Sequence, residues 1–337
     1  MRYPEFCQEI ITPASGHGRR NLLVVGLLLL VTGCASNPQK DAAVAAQASN
    51  NFSGLYDGKM AATHATELPV ASAEEAQVRG DQAWREGDLD LALYQYIQAL
   101  QMDGDDVNTL NKIGAIHVDR GNLGLAEAAY RWALRLSPDN AAALTELGLI
   151  LLKKREFAQA EETLTHSLNV TSQQWRAQNA LGIIANVQGN HAAASLHFQE
   201  ALKIRPESPM LLNNYGYSLY LSKDWPGAMK AFRQALNRAP DYKLAWHNLG
   251  LVYARERNYT AAVDAFSHAM ELYEAYNDVG YLAMLDGNYQ ESDIYLSKAI
   301  KLCPSYYETA HKNLMRSRVL KSTDETNSKS TKSAANA

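Results

Sequence analysis

The chain has 337 residues, of which 47% are hydrophobic and 20% are charged, and its formal net charge is −4. This mild acidity argues against nucleic acid as a partner, because nucleic-acid-binding domains carry strongly basic surfaces.

Residues 1–33 have the organisation of a bacterial export signal. The basic pair Arg19-Arg20 precedes an apolar run, residues 22–31, which is too short to span a bilayer. The run leads into Val-Thr-Gly-Cys at residues 31–34, which resembles the bacterial lipoprotein box. The resemblance implies cleavage before Cys34 and attachment of a diacylglyceryl group to its thiol. An ordinary signal peptide, a stalled membrane anchor, a twin-arginine signal and a later start codon are the alternatives.

The resemblance to lipoproteins also implies a compartment. Ala35 stands where lipoproteins retained on the inner membrane often carry Asp, so the periplasmic face of the outer membrane is favoured. Residues 34–72 look nonglobular and are predicted to form a lipidated N-terminus and a flexible linker. Cys7 would leave with the signal and Cys34 would be acylated, so Cys303 is left without a partner for an intramolecular disulfide.

A glycine recurs every 34 residues through the middle of the chain, with one slip before the last. The glycines are Gly80, Gly114, Gly148, Gly182, Gly216, Gly250 and Gly280. Glycine inside a helix costs about 1 kcal/mol relative to alanine, so its repetition needs a packing reason. We take that reason to be the close approach of two helix backbones, as in an antiparallel helical hairpin.

The rest of each unit agrees with a hairpin. Small residues stand 12 and 19 positions after each glycine, and a large residue stands 16 positions after it. The large residues are Tyr96, Tyr130, Leu164, Phe198, Phe232, Phe266 and Leu296. Short polar turns, such as residues 120–122 and 188–190, separate the two helices, and four units end at a proline.

This skeleton resembles the tetratricopeptide repeat, whose signature places a Trp, a Leu-Gly pair, a Tyr, an Ala and a Phe at fixed spacing. The sixth unit carries the full signature, at Trp246, Leu249, Gly250, Tyr253, Ala262 and Phe266. The resemblance implies an all-α tetratricopeptide repeat solenoid of about seven helical hairpins. These are predicted at residues 73–106, 107–140, 141–174, 175–208, 209–242, 243–272 and 273–306.

Two departures from a regular array are predicted near the C-terminus. The sixth unit is four residues short, so residues 269–276 enter the last unit without the usual proline turn. A capping helix is predicted at residues 307–322, with Ala310, Leu314 and Val319 covering the last hairpin. Residues 323–337 contain no large apolar side chain and are predicted to be disordered.

The sequence offers no arrangement typical of a catalytic or metal site. The repeats leave no room for a separate catalytic domain. His191 and His197 have no further ligands in register, and Glu161 and Glu162 diverge around a helix axis. We therefore expect a protein that is not an enzyme and has no cofactor, metal or small-molecule substrate.

The resemblance implies that first-helix positions 2, 5, 6, 9, 12 and 13 line a concave groove that holds a partner peptide or helix. The residues predicted to bind there are Arg176, Asn179, Asn213, Asn214, Tyr217, Tyr220, His247, Asn248, Asn277 and Tyr281. The same positions add Ile183, Asn186, Leu251 and Arg255. Side-chain amides can pair with a peptide backbone, and tyrosines offer contact area at low entropic cost. The alternative is that Asn214 and Asn248, at position 6, are structural and that Tyr217 and Tyr220 pack between hairpins, whereas Asn179, Asn213 and Asn277, at position 5, are less required by the fold.

Three segments resemble the TadD-type tetratricopeptide repeat lipoproteins of the tight-adherence (Flp, type IVb) pilus system. They are residues 64–76, residues 276–281 after the short unit, and residues 304–307. The resemblance implies an outer-membrane scaffold similar to a pilotin, whose partner is a secretin or another pilus-assembly component. The alternative is a lipoprotein adaptor that recruits a periplasmic protease or a peptidoglycan hydrolase.

Overall fold

The computed structural model describes residues 52–57 and 70–335 of the chain. The predicted signal peptide, Cys34 and most of the predicted linker lie outside these residues. Within them the chain forms fifteen α-helices and one 3-10 helix, with no strand, which confirms the predicted all-α class. No helix in this part is long and apolar enough to cross a membrane. The helices belong to two compact units, residues 1–187 and residues 188–337.

The first unit begins with the 3-10 helix Phe52–Leu55 and continues with seven α-helices. They are α1 (Ala73–Glu86), α2 (Leu89–Met102), α3 (Val107–Asp119), α4 (Leu123–Leu136), α5 (Ala141–Lys153), α6 (Phe157–Val170) and α7 (Trp175–Val187). They pair as hairpins, α1 with α2, α3 with α4 and α5 with α6, and α7 packs against both helices of the third hairpin.

The second unit contains eight α-helices. They are α8 (His191–Ile204), α9 (Pro209–Leu221), α10 (Trp225–Arg238), α11 (Lys243–Arg255), α12 (Tyr259–Ser267), α13 (Leu272–Leu285), α14 (Tyr289–Leu302) and α15 (Glu308–Ala335). Here α9 pairs with α10, α11 with α12 and α13 with α14, and α15 packs on the last hairpin. We call the N-terminal helix of each hairpin its first helix, and we include α15, which occupies the next such place after the last hairpin. The first helices α9, α11, α13 and α15 contact one another in succession.

The recurring glycines lie beneath large side chains of the partner helix. A Cβ on Gly250 would stand 2.7 Å from the Phe266 ring, and one on Gly80 would stand 2.6 Å from the Tyr96 ring. Such distances are shorter than van der Waals contact, so only glycine leaves room for these rings. The predicted packing reason is therefore confirmed, but the contact is mainly with a side chain of the partner helix. A Cβ on Gly280 would also stand 3.0 Å from the backbone nitrogen of Leu296, so the partner backbone is close there as well.

Left-handed residues close the hairpin turns at the fifteenth position of each unit. Glycine fills this position in four units, with φ between 73° and 84°, at Gly87, Gly121, Gly189 and Gly287. Arg155, Lys223 and Arg257 fill it in the others, with φ of 66°, 66° and 60°. The predicted turns at residues 120–122 and 188–190 are thus confirmed. A side chain in the left-handed region costs roughly 1 kcal/mol, which packing of the two helices offsets.

The four-residue deletion shortens the second helix of the sixth hairpin. This helix, α12, has 9 residues, whereas α10 and α14 have 14 each. The chain then turns, and α13 begins at Leu272 behind a capping box formed by Glu271 and Glu274. Residues 269–276 therefore enter the last hairpin through a capped turn in place of a proline turn.

The C-terminal helix differs from its prediction in length. It runs from Glu308 to Ala335, so the predicted cap end at residue 322 and the predicted disorder of residues 323–335 are corrected. No glycine or proline follows Pro304 to stop the helix. The Tyr289 hydroxyl also donates to Asp324 at 2.9 Å, which ties the extension to α14.

The buried face of α15 also differs from its prediction. Ala310, Leu314 and Ser317 are 0%, 9% and 1% exposed, whereas Val319 is 61% exposed. Residues four and three apart share one face of a helix, but Val319 is five positions beyond Leu314 and points elsewhere. Val319 therefore does not cover the last hairpin.

The predicted flexible linker is corrected at residues 52–57. Leu55 is fully buried against the first unit, and the 3-10 helix contacts α2 and α4. The sequence signal was a short apolar stretch, Leu55-Tyr56, within a region that otherwise looks nonglobular.

Candidate protein-binding surface

The residues predicted to line a groove are divided between the two units. Arg176 and Asn179 lie on α7 in the first unit. The other eight lie on first helices of the second unit: Asn213, Asn214, Tyr217 and Tyr220 on α9, His247 and Asn248 on α11, and Asn277 and Tyr281 on α13.

Arg176 pairs with a carboxylate of the preceding first helix. Its Nη1 contacts Oε1 of Glu146, and its Nη2 donates to Oε2 at 3.0 Å. Burial raises the pKa of Glu146, although the charge of Arg176 acts in the opposite direction. Asn179 lies nearby on α7 and is buried. The guanidinium of Arg176 is therefore already matched within the first unit.

A second ion pair repeats this arrangement and was not predicted. Lys112 Nζ on α3 lies 2.5 Å from Asp81 Oδ1 on α1, and the Tyr96 hydroxyl donates to the same oxygen at 2.5 Å. The sequence signal is a pair of opposite charges on successive first helices, about one repeat apart. Each of these two pairs links the first helices of neighbouring hairpins, and the two charges of each pair balance.

Most of the predicted asparagines are buried between neighbouring first helices. Asn213, Asn214, Asn248 and Asn277 are 5% exposed or less. Asn248 Nδ2 donates to Asn213 Oδ1 at 2.9 Å, and Asn313 Nδ2 donates to Asn277 Oδ1 at 3.1 Å. Asn213, Asn248 and Asn277 therefore join neighbouring first helices, whereas Asn214 accepts from Asn213 on the same helix at 3.4 Å. Their burial and mutual bonding favour a structural role for these amides over pairing with a bound peptide.

Tyr217 and Tyr220 lie half-buried on α9. Their rings stack with centroids 6.0 Å apart, and both pack against the hydrophobic core of α9, α10 and α11. Arg255 on α11 donates from Nε to the Tyr220 hydroxyl at 3.2 Å and from Nη1 to Asp286 Oδ1 at 2.5 Å. These contacts hold the phenol and the guanidinium in fixed positions across three first helices.

Leu251 and Tyr281 extend this row along the second unit. They occupy in α11 and α13 the repeat position that Tyr217 occupies in α9, and both are half-buried. We call Tyr217, Tyr220, Leu251, Arg255 and Tyr281 the tyrosine surface. Such a surface can bury apolar area at low entropic cost, because a tyrosine side chain has only two χ angles to restrict.

Two titratable side chains lie on the same first helices. Burial lowers the pKa of His247 to about 4, and its ring lies 5.0 Å from that of Phe266. Burial raises the pKa of Asp278 to about 7, although Asn277 donates to its carboxylate at 3.2 Å. His247 is therefore neutral at pH 7, and Asp278 is partly protonated.

The described residues contain no group of three or more His, Cys, Asp or Glu side chains placed to hold a metal ion. Glu161 and Glu162 are exposed at the rim of an open depression of about 610 Å³, whose lining includes Leu144, Leu147 and Leu151. Both glutamates therefore lie on a helix face that is in contact with solvent.

Comparison with protein families identifies the repeat. A family model described as a tetratricopeptide repeat matches residues 111–168, 168–209 and 215–274. A second tetratricopeptide repeat model matches residues 273–306. Together the two models match more than half of the chain. No curated protein matches it.

Solved structures share this fold at low sequence identity. A tetratricopeptide repeat protein from Parabacteroides merdae is 16% identical, with a TM-score of 0.54 over 74% of this chain and 100% of that one. The APC/C hetero-tetramer Cut9–Hcn1 is 16% identical, with a TM-score of 0.54 over 83% of this chain and 57% of that one. PilF of Pseudomonas aeruginosa is 20% identical, with a TM-score of 0.49 over 64% of this chain and 99% of that one. The first two support the repeat fold and nothing finer.

Proposed function

We propose that this chain, which belongs to the tetratricopeptide repeat family, is a noncatalytic scaffold held by lipid at Cys34 on the periplasmic face of the outer membrane. Tetratricopeptide repeats generally mediate protein–protein interactions. The observation that carries the scaffold role is the tyrosine surface, a row of half-buried side chains on α9, α11 and α13. There a segment of a partner protein binds.

The chemistry of the tyrosine surface favours a segment with apolar or aromatic side chains. The charge of Arg255 is matched by Asp286, so the surface does not present a clamp for a terminal carboxylate. Tyr217, Tyr220 and Tyr281 each combine an aromatic ring with a hydroxyl, which suits them to contacts with both side chains and backbone. Binding therefore depends on ring area more than on charge, and its salt dependence is weak.

A pair of matched substitutions tests the surface. Tyr217→Ala removes a ring of the tyrosine surface, whereas Tyr306→Ala removes a ring that is 73% exposed and belongs to the connection before α15. The binding partner is first identified by crosslinking on intact membranes. We expect Tyr217→Ala to weaken binding of that partner by at least tenfold and Tyr306→Ala to leave it unchanged. Equal binding by both variants would exclude the tyrosine surface as the binding site.

The lipid anchor is tested separately from the surface. In a Cys34→Ser variant the thiol that would carry the lipid is absent, while the repeats are unchanged. We expect the variant to appear in the soluble fraction and the native chain in the outer-membrane fraction. Unchanged membrane fractionation of the variant would count against lipid attachment at Cys34.

For the cellular role we propose assembly of a tight-adherence pilus, with the secretin as the partner. The support is the sequence resemblance of residues 64–76, 276–281 and 304–307 to TadD-type lipoproteins. Deletion of the gene should reduce heat-resistant secretin multimers and surface pili. Normal amounts of both in the deletion strain would overturn the pilus assignment and leave the scaffold role intact.

Crosslinking on intact membranes, followed by mass spectrometry, distinguishes this role from an adaptor. A secretin or another pilus component crosslinked to α9, α11 or α13 supports the pilus role. A periplasmic protease or a peptidoglycan hydrolase crosslinked there supports the adaptor role.

A further inference from the structure

Residues 54–57, which we call the strap, dock on the first unit ahead of α1. Leu55 is fully buried, and the 3-10 helix that contains it contacts α2 and α4. The Tyr56 ring meets the Tyr94 ring of α2 edge-on, with centroids 6.4 Å apart. The strap is therefore anchored by an apolar side chain and an aromatic contact.

Polar contacts on both sides of Leu55 complete this docking site. His117 Nε2, at the end of α3, donates to the Leu55 carbonyl oxygen at 2.7 Å. Asp57 accepts from Arg120 Nη1 at 2.7 Å and from the side chain of Asn122. The Leu55 carbonyl and the Asp57 carboxylate thus both accept hydrogen bonds from the end of α3 and from the turn that follows it. This complementarity distinguishes a built site from a chance contact.

His117 couples the strap to the protonation state of one buried ring. The ring is 0% exposed, and its Nδ1 has no hydrogen-bond partner among the described residues. Asp57 Oδ2 lies 3.9 Å from that nitrogen, which is beyond hydrogen-bond distance. The two oxygens of Asp57 accept from Arg120 and Asn122.

The charges around His117 oppose one another. The hydrogen bond to the Leu55 carbonyl and the charge of Asp57, both in the strap, favour the imidazolium, whereas Arg120, just after α3, disfavours it. On α2, Asp90 accepts from Arg120 at 2.6 Å, and on α4, Glu127 is engaged by other cations. Burial outweighs these charges and holds the pKa of His117 below its usual range. The docked site therefore favours the neutral ring.

We propose that the strap is an acid-released latch, which stays docked while His117 is neutral and leaves when His117 is protonated. An imidazolium needs solvent or a second acceptor, and departure of Leu55 and Asp57 opens the ring to water. Since the undocked ring binds a proton more readily, each pH unit below about 6.5 shifts docking by up to about tenfold toward release.

Release changes how far the repeats stand from the N-terminal tether. Leu55 is 21 residues beyond Cys34, whereas α1 begins 39 residues beyond it. An extended chain spans at most about 3.6 Å per residue. Release therefore raises the maximum distance between Cys34 and the first unit from roughly 75 Å to roughly 140 Å. This consequence rests on the proposed lipid anchor, but the latch itself does not.

Hydrogen exchange of the full chain in detergent tests the latch. The strap amides should be protected at pH 7.5 and, after correction for intrinsic exchange, at least fivefold less protected at pH 5.5. Equal corrected protection at the two pH values would overturn acid release. Amides of α3 report in the same data that the first unit stays folded.

Three variants complete the test. Leu55→Ala should lose strap protection at both pH values, and wild-type protection in this variant at pH 7.5 would overturn docking through Leu55. His117→Gln keeps a donor for the Leu55 carbonyl and does not titrate, so its strap should stay protected at pH 5.5. His166→Gln is the matched control, because His166 lies on α6 with 45% of its side chain exposed, and it should behave like wild type. None of these measurements depends on membrane fractionation, so the latch and the lipid anchor fail or succeed independently.

Discussion

Asn248 on α11 donates its side-chain amide to the side-chain oxygen of Asn213 on α9 at 2.9 Å, and both residues are buried. The contact joins the first helices of two successive hairpins. The amides of Asn213 and Asn248, both at groove positions of the repeat, are therefore bonded to a neighbouring helix in the interior of the second unit.

Replacing Asn248 by alanine should therefore lower stability before it affects binding. The buried oxygen of Asn213 loses its donor from α11, which costs about 1–3 kcal/mol. Urea denaturation of the purified chain measures this loss. Lys203→Ala is the control, because Lys203 forms an exposed ion pair with Glu200, and its effect should be within about 0.5 kcal/mol. Unchanged stability of Asn248→Ala, together with loss of partner binding, would restore Asn248 as a binding residue.

Gly250→Ala should destabilise the sixth hairpin, although alanine is the better helix former. Its Cβ would stand 2.7 Å from the Phe266 ring, which is itself fully buried and cannot move aside freely. Overpacking of this kind costs about 1–3 kcal/mol. The thermal midpoint should fall, whereas Gly287→Asn should be nearly neutral, because Gly287 faces open space and asparagine tolerates its φ of 73°. A higher midpoint for Gly250→Ala would mean that the ring does not rest on the glycine.

Asp278→Asn should stabilise the second unit, and the gain should grow with pH. The pKa of Asp278 is raised to about 7 in the folded chain from an ordinary value near 3.8, so its contribution is fully favourable below pH 3.8 and is lost as the pH rises through 7. Asparagine stays neutral and already occupies the same repeat position at Asn214 and Asn248. Chemical denaturation at pH 4 and pH 8 should show a gain of roughly 1–3 kcal/mol at pH 8 after allowance for partial exposure, and a small one at pH 4. An equal gain at both values would rule out titration of Asp278 as its cause.

Leu314→Ala should loosen the C-terminal helix, whereas Val319→Ala should not. Leu314 is 9% exposed and faces the last hairpin, so its truncation costs about 2–4 kcal/mol. Val319 is 61% exposed, and its loss should cost less than about 0.5 kcal/mol. Hydrogen exchange of α14 and α15 compares the two variants. Comparable loss of protection in both would return Val319 to the buried face that the sequence analysis predicted.

Much of the fold follows from the sequence because its main contacts lie within one hairpin. The ring of Phe266 rests on Gly250 sixteen residues earlier, and the short turn between them fixes which faces meet. The candidate site could not be predicted in the same way. Asn213 bonds to Asn248 because α11 lies close to α9, and the residue spacing within a single repeat does not reveal the distance between two repeats.

The sequence by itself determined the period, the hairpin turns and the all-α class, because glycine, large residue and turn recur at fixed offsets over short distances. Only the tertiary structure decided which groove residues are interior, which face of α15 is buried and where Leu55 docks. Those outcomes depend on contacts between separate hairpins and on contacts of the repeats with the segment before them. An example of the second kind is the contact of His117 with the Leu55 carbonyl at 2.7 Å. A long-range contact of this kind has no periodic signal, because it is set by the packing of surfaces that the repeat leaves open.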